Sequence, residues 1–560
     1  MKYVKVLLGT LALISGTVNL EAQTTKKEWV KSNLKSMTLR QQIAQLFVIV
    51  CHPRQGEEHI NYVLETIHEE QIGSLIWGQY TPVEYVNLLN KMQALVRIPL
   101  LVSMDAEWGV SMRIDSVVRF PQQLTLGAIE DNSLIYDFGV EVARQCREMG
   151  IHMNYAPVVD VNNNPKNPVI GMRSFGENKY KVTEKAYAYM KGMQDGGILT
   201  TLKHFPGHGD TDKDSHEEVP VILHDRKRLD DVELYPFREL IKRGATGVMT
   251  AHLLIPALDG NIASQSKKIT TGLLQKGLKF RGLVVTDALE MKGAISNRDT
   301  AKVALYSLLA GNDVLEIPID MKKSIDAIEK AVKNKEVSAK FIQKKCKKIL
   351  EAKFDMGLHK GYQPINPEGI LDRLNMEHTK TLRTKLSEAS LTLLSNKEAL
   401  PLFSPKVQYI EIGQGGTLRS HLEEFGVTDM IKISPNDNKE RLDSLVTNLG
   451  DGIIVVGYHN IPRGRLSINF GVDSPLTDFL DNLAKAHKVV LLFFGNPYTL
   501  NNLKDLEPFS AVVVAYDNSE EAQIATFKAI FGYSGFTGRL PVTINEMFKE
   551  DFGLIIKSAQ

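Results

Sequence analysis

The chain has 560 residues, which is too long for a single hydrophobic core, so two or three domains are expected. Its hydrophobic fraction of 43% and charged fraction of 24% are ordinary for a globular protein. A formal net charge of +1, with no basic run interleaved with aromatic residues, gives no electrostatic case for a nucleic-acid or anionic-membrane partner.

The first residues have the pattern of an export signal, which we predict over residues 1–22. Lys2 and Lys5 supply a positive start, and the apolar run 6–18 that follows is too short to span a bilayer. The alternative is a helical N-terminus of the mature protein. We expect an exported protein, periplasmic or extracellular, with no integral membrane segment once the signal is removed.

Short apolar runs then alternate with segments of helical periodicity, and this alternation occurs eight times over residues 28–358. Repeated strand–helix units predict a (β/α)8 barrel, with a doubly wound sheet as the alternative. The eight predicted strands cover residues 46–51, 72–77, 100–104, 151–159, 198–202, 247–250, 283–286 and 313–317.

Polar residues stand at the ends of five consecutive predicted strands. A single aspartate in such a place is commonly a helix cap or a solvated loop residue. Five in succession indicate a shared site, because the carboxyl ends of barrel strands meet at one rim. The residues are Asp105, Asp160, Lys203 with His204, His252 and Asp287.

The loop after the fifth strand carries the densest polar pattern in the chain, from Lys203 to His216. Its histidines and aspartates allow a metal site, but the spacing from His204 to His208 is interrupted by proline and glycine and does not give the one-face spacing of a helix. The alternatives are a solvated loop with a few capping aspartates and acid–base chemistry, in which Asp214 orients His216. We expect no metal and no cofactor.

A linker is predicted over residues 359–385, because that stretch lacks a clear period and contains two prolines. Buried-strand runs resume beyond it, at 409–412, 453–457, 489–494 and 511–515, and alternate with helical segments. Residues 386–555 are therefore predicted to form a smaller α/β/α sandwich. No glycine-rich loop there follows a strand and opens a helix, so no nucleotide site is predicted.

With these residues in view, the chain resembles glycoside hydrolase family 3, most closely its β-N-acetylglucosaminidase branch. The resemblance covers nearly all of the mature chain and implies a barrel followed by an α/β/α sandwich, with the active site at the barrel's carboxyl rim. The matching stretches are KHFPGHGDT at 203–211 with DSH at 214–216, APVVD at 156–160, PVIGMRSFG at 168–176, GLVVTDALEM at 282–291 and GRLPV at 538–542.

The resemblance also implies roles for individual residues. Asp287 corresponds to the catalytic nucleophile, and His216 to the general acid/base with Asp214 as its partner. Five residues are expected to hold the non-reducing sugar: Asp105, Arg113, Arg173, Lys203 and His204. The sequence departs from the family pattern at Trp108, where the family often has the first of two glycines.

The activity implied is that of a retaining exo-β-N-acetylglucosaminidase acting on terminal β-linked GlcNAc of peptidoglycan- or chitin-type fragments. The partner expected is therefore a carbohydrate. A β-glucosidase or β-xylosidase of the same family and a phosphorolytic variant are the nearest alternatives. A non-catalytic wall-binding protein and a metal hydrolase are more distant ones.

Overall fold

A computed structural model describes residues 24–214, 218–295, 299–403, 407–413, 415, 419–427, 429–434, 437–450, 452–459 and 474–558. The first half of the chain forms a sheet of eight parallel strands in the order β7-β6-β5-β4-β3-β2-β1-β8. The strands are β1 Phe47–Cys51, β2 Ser74–Trp77, β3 Leu101–Met104, β4 Met153–Asn154, β5 Leu199–Phe205, β6 Gly247–Thr250, β7 Leu283–Thr286 and β8 Leu315–Glu316.

The sheet curves round on itself, as the contacts between its two end strands show. A parallel bridge joins Val285 of β7 to Val314, the residue before β8, and the Thr286 amide donates to the Val314 carbonyl at 3.0 Å. Each of the eight predicted strands overlaps one observed strand. The prediction of a (β/α)8 barrel is confirmed, and the carboxyl ends of the strands meet at one rim.

Helices follow the strands and cover the outside of the barrel with amphipathic faces. In the helix over residues 321–333, the buried side chains recur every three or four residues, and the Asp320 carboxylate caps its first turn. The helices of this part are α1 Lys26–Ser36, α2 Leu39–Ala44, α3 Glu57–Glu70, α4 Pro82–Ala94, α5 Gln123–Gly127, α6 Asn132–Glu148, α7 Lys179–Asp195, α8 Arg226–Asp231, α9 Leu234–Lys242, α10 Lys292–Ile295, α11 Val303–Ala310, α12 Met321–Lys333 and α13 Ala339–Asp355.

The predicted linker, residues 359–385, is largely helical and packed. It contains α14 Ile370–Leu374 and the first part of α15 Glu377–Ser390. Helix α14 packs on α4 and α6, and α15 packs on α6, so the connection lies against the barrel. Arg383 of α15 is fully buried and pairs with Asp517, which ties this connection to the second domain.

The second domain is built on a six-stranded sheet in the order β11-β10-β12-β13-β14-β9. Five strands are parallel, and β9 pairs antiparallel to β14 at one edge. The strands are β9 Thr392–Asn396, β10 Val407–Gly413, β11 Asp429–Ile433, β12 Ile453–His459, β13 Lys488–Phe493 and β14 Ala511–Val514. The helices are α16 Arg419–Glu424, α17 Lys439–Asn448, α18 Ser474–Ala486 and α19 Glu520–Ile530.

The two domains are in direct contact close to the barrel rim. The Glu177 carboxylate accepts from the backbone amide of Thr543 at 2.9 Å, and the Glu177 amide donates to the Pro541 carbonyl at 3.0 Å. A Cβ atom at Gly176 would lie 2.3 Å from the Pro541 carbonyl oxygen, so this close approach requires glycine. None of the described helices is both long enough and apolar enough to span a bilayer.

Candidate active site

A cavity of about 290 Å³ opens at the carboxyl rim of the barrel. This volume lies at the small end of the range for ligand pockets, which suits a ligand of about one sugar ring. Most of the predicted site residues line it together, although they come from distant parts of the chain. These are Asp105, Arg113, Arg173, Lys203, His204 and Asp287.

Lys203 is almost fully buried at the end of β5 and forms the centre of the charged network. Adjacent residues of a regular strand face opposite ways. The pairing of β5 with β6 shifts register between Leu202 and Phe205, and both Lys203 and His204 line the cavity. Burial opposes the charge of Lys203, but nearby carboxylates raise its pKa above the usual value, so the ammonium persists.

Asp105 follows β3 and lies between two cations. Its Oδ1 accepts from Lys203 Nζ at 2.7 Å, and its Oδ2 accepts from Arg113 Nη2 at 3.0 Å. Burial opposes ionisation, but the charges of Lys203 and Arg113 hold the pKa of the Asp105 carboxyl well below its usual range. Arg113 therefore reaches the cavity, and Trp108 also lines it.

Glu107 completes the network, and sequence reasoning did not assign it a role. It is fully buried, accepts from Arg173 Nε at 2.9 Å and Nη2 at 2.7 Å, and lies 2.7 Å from Lys203 Nζ. The Arg173 contact is the bidentate kind that fixes a guanidinium plane. Despite burial, these two cations lower the pKa of Glu107 to about 2. Its place two residues beyond Asp105 puts Glu107 near the rim, but no local pattern predicts its pairing with Arg173.

A buried aspartate sets the position of His204. Asp160 Oδ2 lies 2.7 Å from His204 Nδ1, and Asp160 Oδ1 accepts from the His208 amide at 2.7 Å. Arg173 Nη2 lies 3.3 Å from His204 Nε2, and a guanidinium can only donate. Nδ1 of His204 is therefore the nitrogen that donates to Asp160, and Nε2 faces the Arg173 guanidinium.

Asp287 follows β7 and presents its carboxylate to the same cavity. Its Oδ1 accepts from the Ala288 amide at 2.9 Å. His252 Nε2 lies 3.0 Å from the Ala288 carbonyl oxygen, so it donates there and supports the same turn. Burial opposes ionisation, but His204, His252, the Ala288 amide and Lys203 together lower the pKa of Asp287. The carboxylate is thus ionised near neutral pH.

The loop beyond β5 is held to its neighbours at several points. Asn167 donates to the His208 carbonyl at 2.8 Å, and Asp210 Oδ2 lies 2.6 Å from His224 Nε2. Asp214 is half-buried on this loop and is not among the described residues that line the cavity. His216, the predicted acid/base, lies outside the described residues.

Two further observations concern the chemistry open to this site. Within the described ranges of the chain, no group of three or more His, Cys, Asp or Glu residues is arranged to hold a metal ion. The cavity also has an acidic wall that sequence reasoning missed, because Glu316 of β8 lines it. A glutamate inside the predicted strand at 313–317, flanked by Leu315 and Ile317, was the available signal.

Comparisons with known proteins extend the resemblance. The family profile described as glycosyl hydrolase family 3 N terminal domain matches residues 38–352. Beta-hexosaminidase A of Pseudoalteromonas piscicida is 36% identical over 266 residues, which are 43% of this chain and 44% of that protein. The chain thus spans less than half the length of that relative. A beta-N-acetylglucosaminidase/beta-glucosidase of Cellulomonas fimi is 22% identical over 545 residues, 92% of this chain and 95% of that one.

A solved structure is similar over both domains. The glycoside hydrolase family 3 beta-N-acetylglucosaminidase from Paenibacillus sp. str. FPU-7 is 28% identical, with a TM-score of 0.78. The similarity covers 91% of this chain and 99% of that one. The arrangement of a barrel followed by a second α/β domain is therefore shared with that protein.

Proposed function

The chain belongs to glycosyl hydrolase family 3, and we propose that it is a retaining exo-β-N-acetylglucosaminidase that removes terminal β-linked GlcNAc. The observation that carries the proposal is the small cavity in which the Asp287 carboxylate faces a pre-formed cluster of charged groups. The names of the hexosaminidase relatives and of the Paenibacillus structure support the choice of sugar.

In this proposal Asp287 is the nucleophile. Its lowered pKa keeps the carboxylate ionised, and an ionised carboxylate can attack the anomeric carbon. The bond from that carbon to the glycosidic oxygen breaks, and a covalent glycosyl-enzyme forms. Water then attacks the same carbon and releases the sugar with its original anomeric configuration.

His216 is proposed as the acid/base, with Asp214 as its partner, on the basis of the motif that carries both. An imidazole titrates near 6.5, so one group can protonate the leaving oxygen and later accept a proton from water. It is cationic before the first transfer and neutral after it. This choice avoids a second negative charge beside Asp287.

The charged cluster is proposed to hold the sugar ring. Sugar hydroxyls can donate to the Asp105 carboxylate and accept from Lys203 or Arg173, all of which are already fixed by ion pairs. Groups that do not have to reorganise on binding lose little entropy, so they position the anomeric carbon well.

The natural substrates are proposed to be fragments of peptidoglycan or of chitin-type glycans. We also propose that the protein acts outside the cytoplasm, on the basis of the predicted export signal over residues 1–22. Such fragments present the non-reducing terminal GlcNAc that an exo-acting enzyme requires.

Substrate choice and nucleophile are tested together. The purified protein is expected to hydrolyse p-nitrophenyl β-GlcNAc much faster than the β-glucoside, and proton NMR should show the β-anomer as first product. Asp287→Ala should lose nearly all turnover, whereas Asp372→Ala, at an exposed position of α14, should not. A 2-fluoro sugar should label a peptide that contains Asp287. A label on another residue would overturn the assignment, and faster cleavage of the glucoside would favour the β-glucosidase alternative.

The acid/base assignment needs two leaving groups. His216→Ala should slow hydrolysis of N,N′-diacetylchitobiose far more than that of the p-nitrophenyl glycoside, because p-nitrophenolate leaves with little protonation. Equal losses on both substrates would rule out His216 as the acid. Formation of GlcNAc 1-phosphate in phosphate buffer would reveal the phosphorolytic alternative.

A further inference from the structure

We propose that Glu316 is a positioning and specificity residue, a neutral carboxyl group in the wall of the pocket that donates a hydrogen bond to one hydroxyl of the bound sugar. This role rests on the proposed glycosidase function of the same pocket. It is distinct from the roles of the nucleophile and of the acid/base.

The first observation is an unsatisfied oxygen. Glu316 is the last residue of β8 and is only 4% exposed, yet it lines the cavity. Its Oε2 is buried and has no hydrogen-bond partner among the residues that the structure describes. Buried polar atoms are nearly always paired, so an unpaired oxygen on a side chain that lines the cavity indicates a carboxyl group with a hydrogen bond still to make.

The second observation is the charge around it. Glu316 shares the cavity with two carboxylates, Asp105 after β3 and Asp287 after β7. Strand β1 pairs with β8, and its apolar residues Phe47 and Val48 lie opposite Leu315 and Glu316. The ionisable groups acting on Glu316 are Asp105, Asp287, Lys203, Arg113 and the phenol of Tyr155.

The balance of these groups favours the protonated form. Burial is the largest cause, and the charges of Asp105 and Asp287 add to it, so the pKa of Glu316 is raised well above its usual range. Lys203 and Arg113 act in the opposite direction but are engaged with Asp105. A protonated carboxyl offers one O–H donor, which the other acidic groups of the cavity do not.

The neighbours of Glu316 separate this role from general acid catalysis. A general acid must reach the glycosidic oxygen, which joins the bound sugar to an aglycone outside the cavity. Glu316 instead shares the cavity with Asp105 and Lys203, which are proposed to hold the sugar ring, so a ring hydroxyl is the expected partner. A site built to bond a hydroxyl discriminates strongly against the analogue that lacks it, because the protein group is then left unpaired.

The test compares Glu316→Gln with Glu316→Leu. Glutamine keeps both a donor and an acceptor, whereas leucine keeps only the volume. The substrates are p-nitrophenyl β-GlcNAc and its 3-, 4- and 6-deoxy analogues. In the wild type and in Glu316→Gln, kcat/KM should fall roughly ten- to a hundredfold for one deoxy analogue. In Glu316→Leu the intact substrate and that deoxy analogue should have similar kcat/KM values. The intact substrate should be slowed about as much as the analogue is in the wild type.

Two outcomes would overturn the proposal. One is that the deoxy analogues lose as much kcat/KM in Glu316→Leu as in the wild type, with folding of the variant checked by thermal unfolding. The other is a loss in Glu316→Gln confined to chitobiose and absent on the aryl glycoside, which would make Glu316 an acid instead.

A readout without turnover separates this inference from the proposed function. The infrared spectrum of the wild type at pH 7 should show a protonated carboxyl stretch that is absent in Glu316→Gln and present in the surface control Glu65→Gln. If the protein cleaves a different pyranoside, the deoxy series is made on that sugar. A wild type without the Glu316 carboxyl band would refute the inference, whatever the substrate.

Discussion

A single change at the buried carboxylate of Glu107 should disturb the proposed sugar site strongly. Glu107→Gln keeps the size and shape of the side chain but removes its negative charge. Arg173 and Lys203 would then keep their positive charges in the same enclosed network, with Asp105 as the remaining carboxylate of the cluster.

The expected cost follows from three charged contacts at 2.7–2.9 Å around a fully buried group. Removing one partner of a buried ion pair costs about 3–5 kcal/mol, because the other charge is left without compensation. A domain of this size shifts its Tm by about 1.5 °C for each kcal/mol. We therefore expect the barrel transition to fall by roughly 4–8 °C.

The same change should weaken substrate binding, because the Arg173 guanidinium loses the bidentate contact that fixes its plane. The assays are urea unfolding, calorimetry and steady-state kinetics on p-nitrophenyl β-GlcNAc, with KM expected to rise by about tenfold. Glu65→Gln, on the exposed face of α3, is the matched control. Indistinguishable stability and KM in the two variants would refute this reading of the network.

Two further predictions concern other buried groups. Asp160→Asn should reduce kcat/KM by about ten- to a hundredfold, because His204 and His208 lose the carboxylate that positions them; full activity in the pure variant would contradict this. Lys353 donates to Gln45 Oε1 at 2.7 Å, and burial lowers its pKa to about 7, against about 10.4 in an unfolded chain. The unfolded state therefore binds more protons between pH 7 and pH 10, so wild-type stability should gain about 1.4 kcal/mol per pH unit relative to Lys353→Met; parallel pH curves would contradict this.

The barrel could be predicted from the sequence because its strands are short, apolar and regularly spaced. Of the second domain, four strands were predicted, while β9 and β11 were not. Strand β11, Asp429–Ile433, is an edge strand in which only Ile433 is buried, so it lacks the apolar run of a central strand. Strand β9 runs antiparallel to β14, a pairing that a pattern of alternating strands and helices does not suggest.

The site was predictable to the extent that it depends on strand ends. Asp105 and Asp287 follow barrel strands, and Lys203 and His204 lie in the last residues of β5; the topology alone brings such positions to one rim. The ion-pair partners of these residues lie on loops, and the sequence does not show how each loop returns to the rim. Glu107 meets Arg173 across 66 positions of sequence, and neither the pairing nor the complete burial of Glu107 has a local signal.

The ion pairs inside the cavity also determine which ligands the cavity can accept. Lys203 contacts two carboxylates, Arg173 is bound bidentately by Glu107, and Arg113 is bound by Asp105. An anionic group entering this cavity would have to displace one of those carboxylates, which would then be buried without a cation at a cost of several kcal/mol. A neutral polyhydroxyl ring needs no such displacement, since it can donate to one member of each pair and accept from the other. The charged cluster is thus suited to a neutral sugar because its charges are already matched.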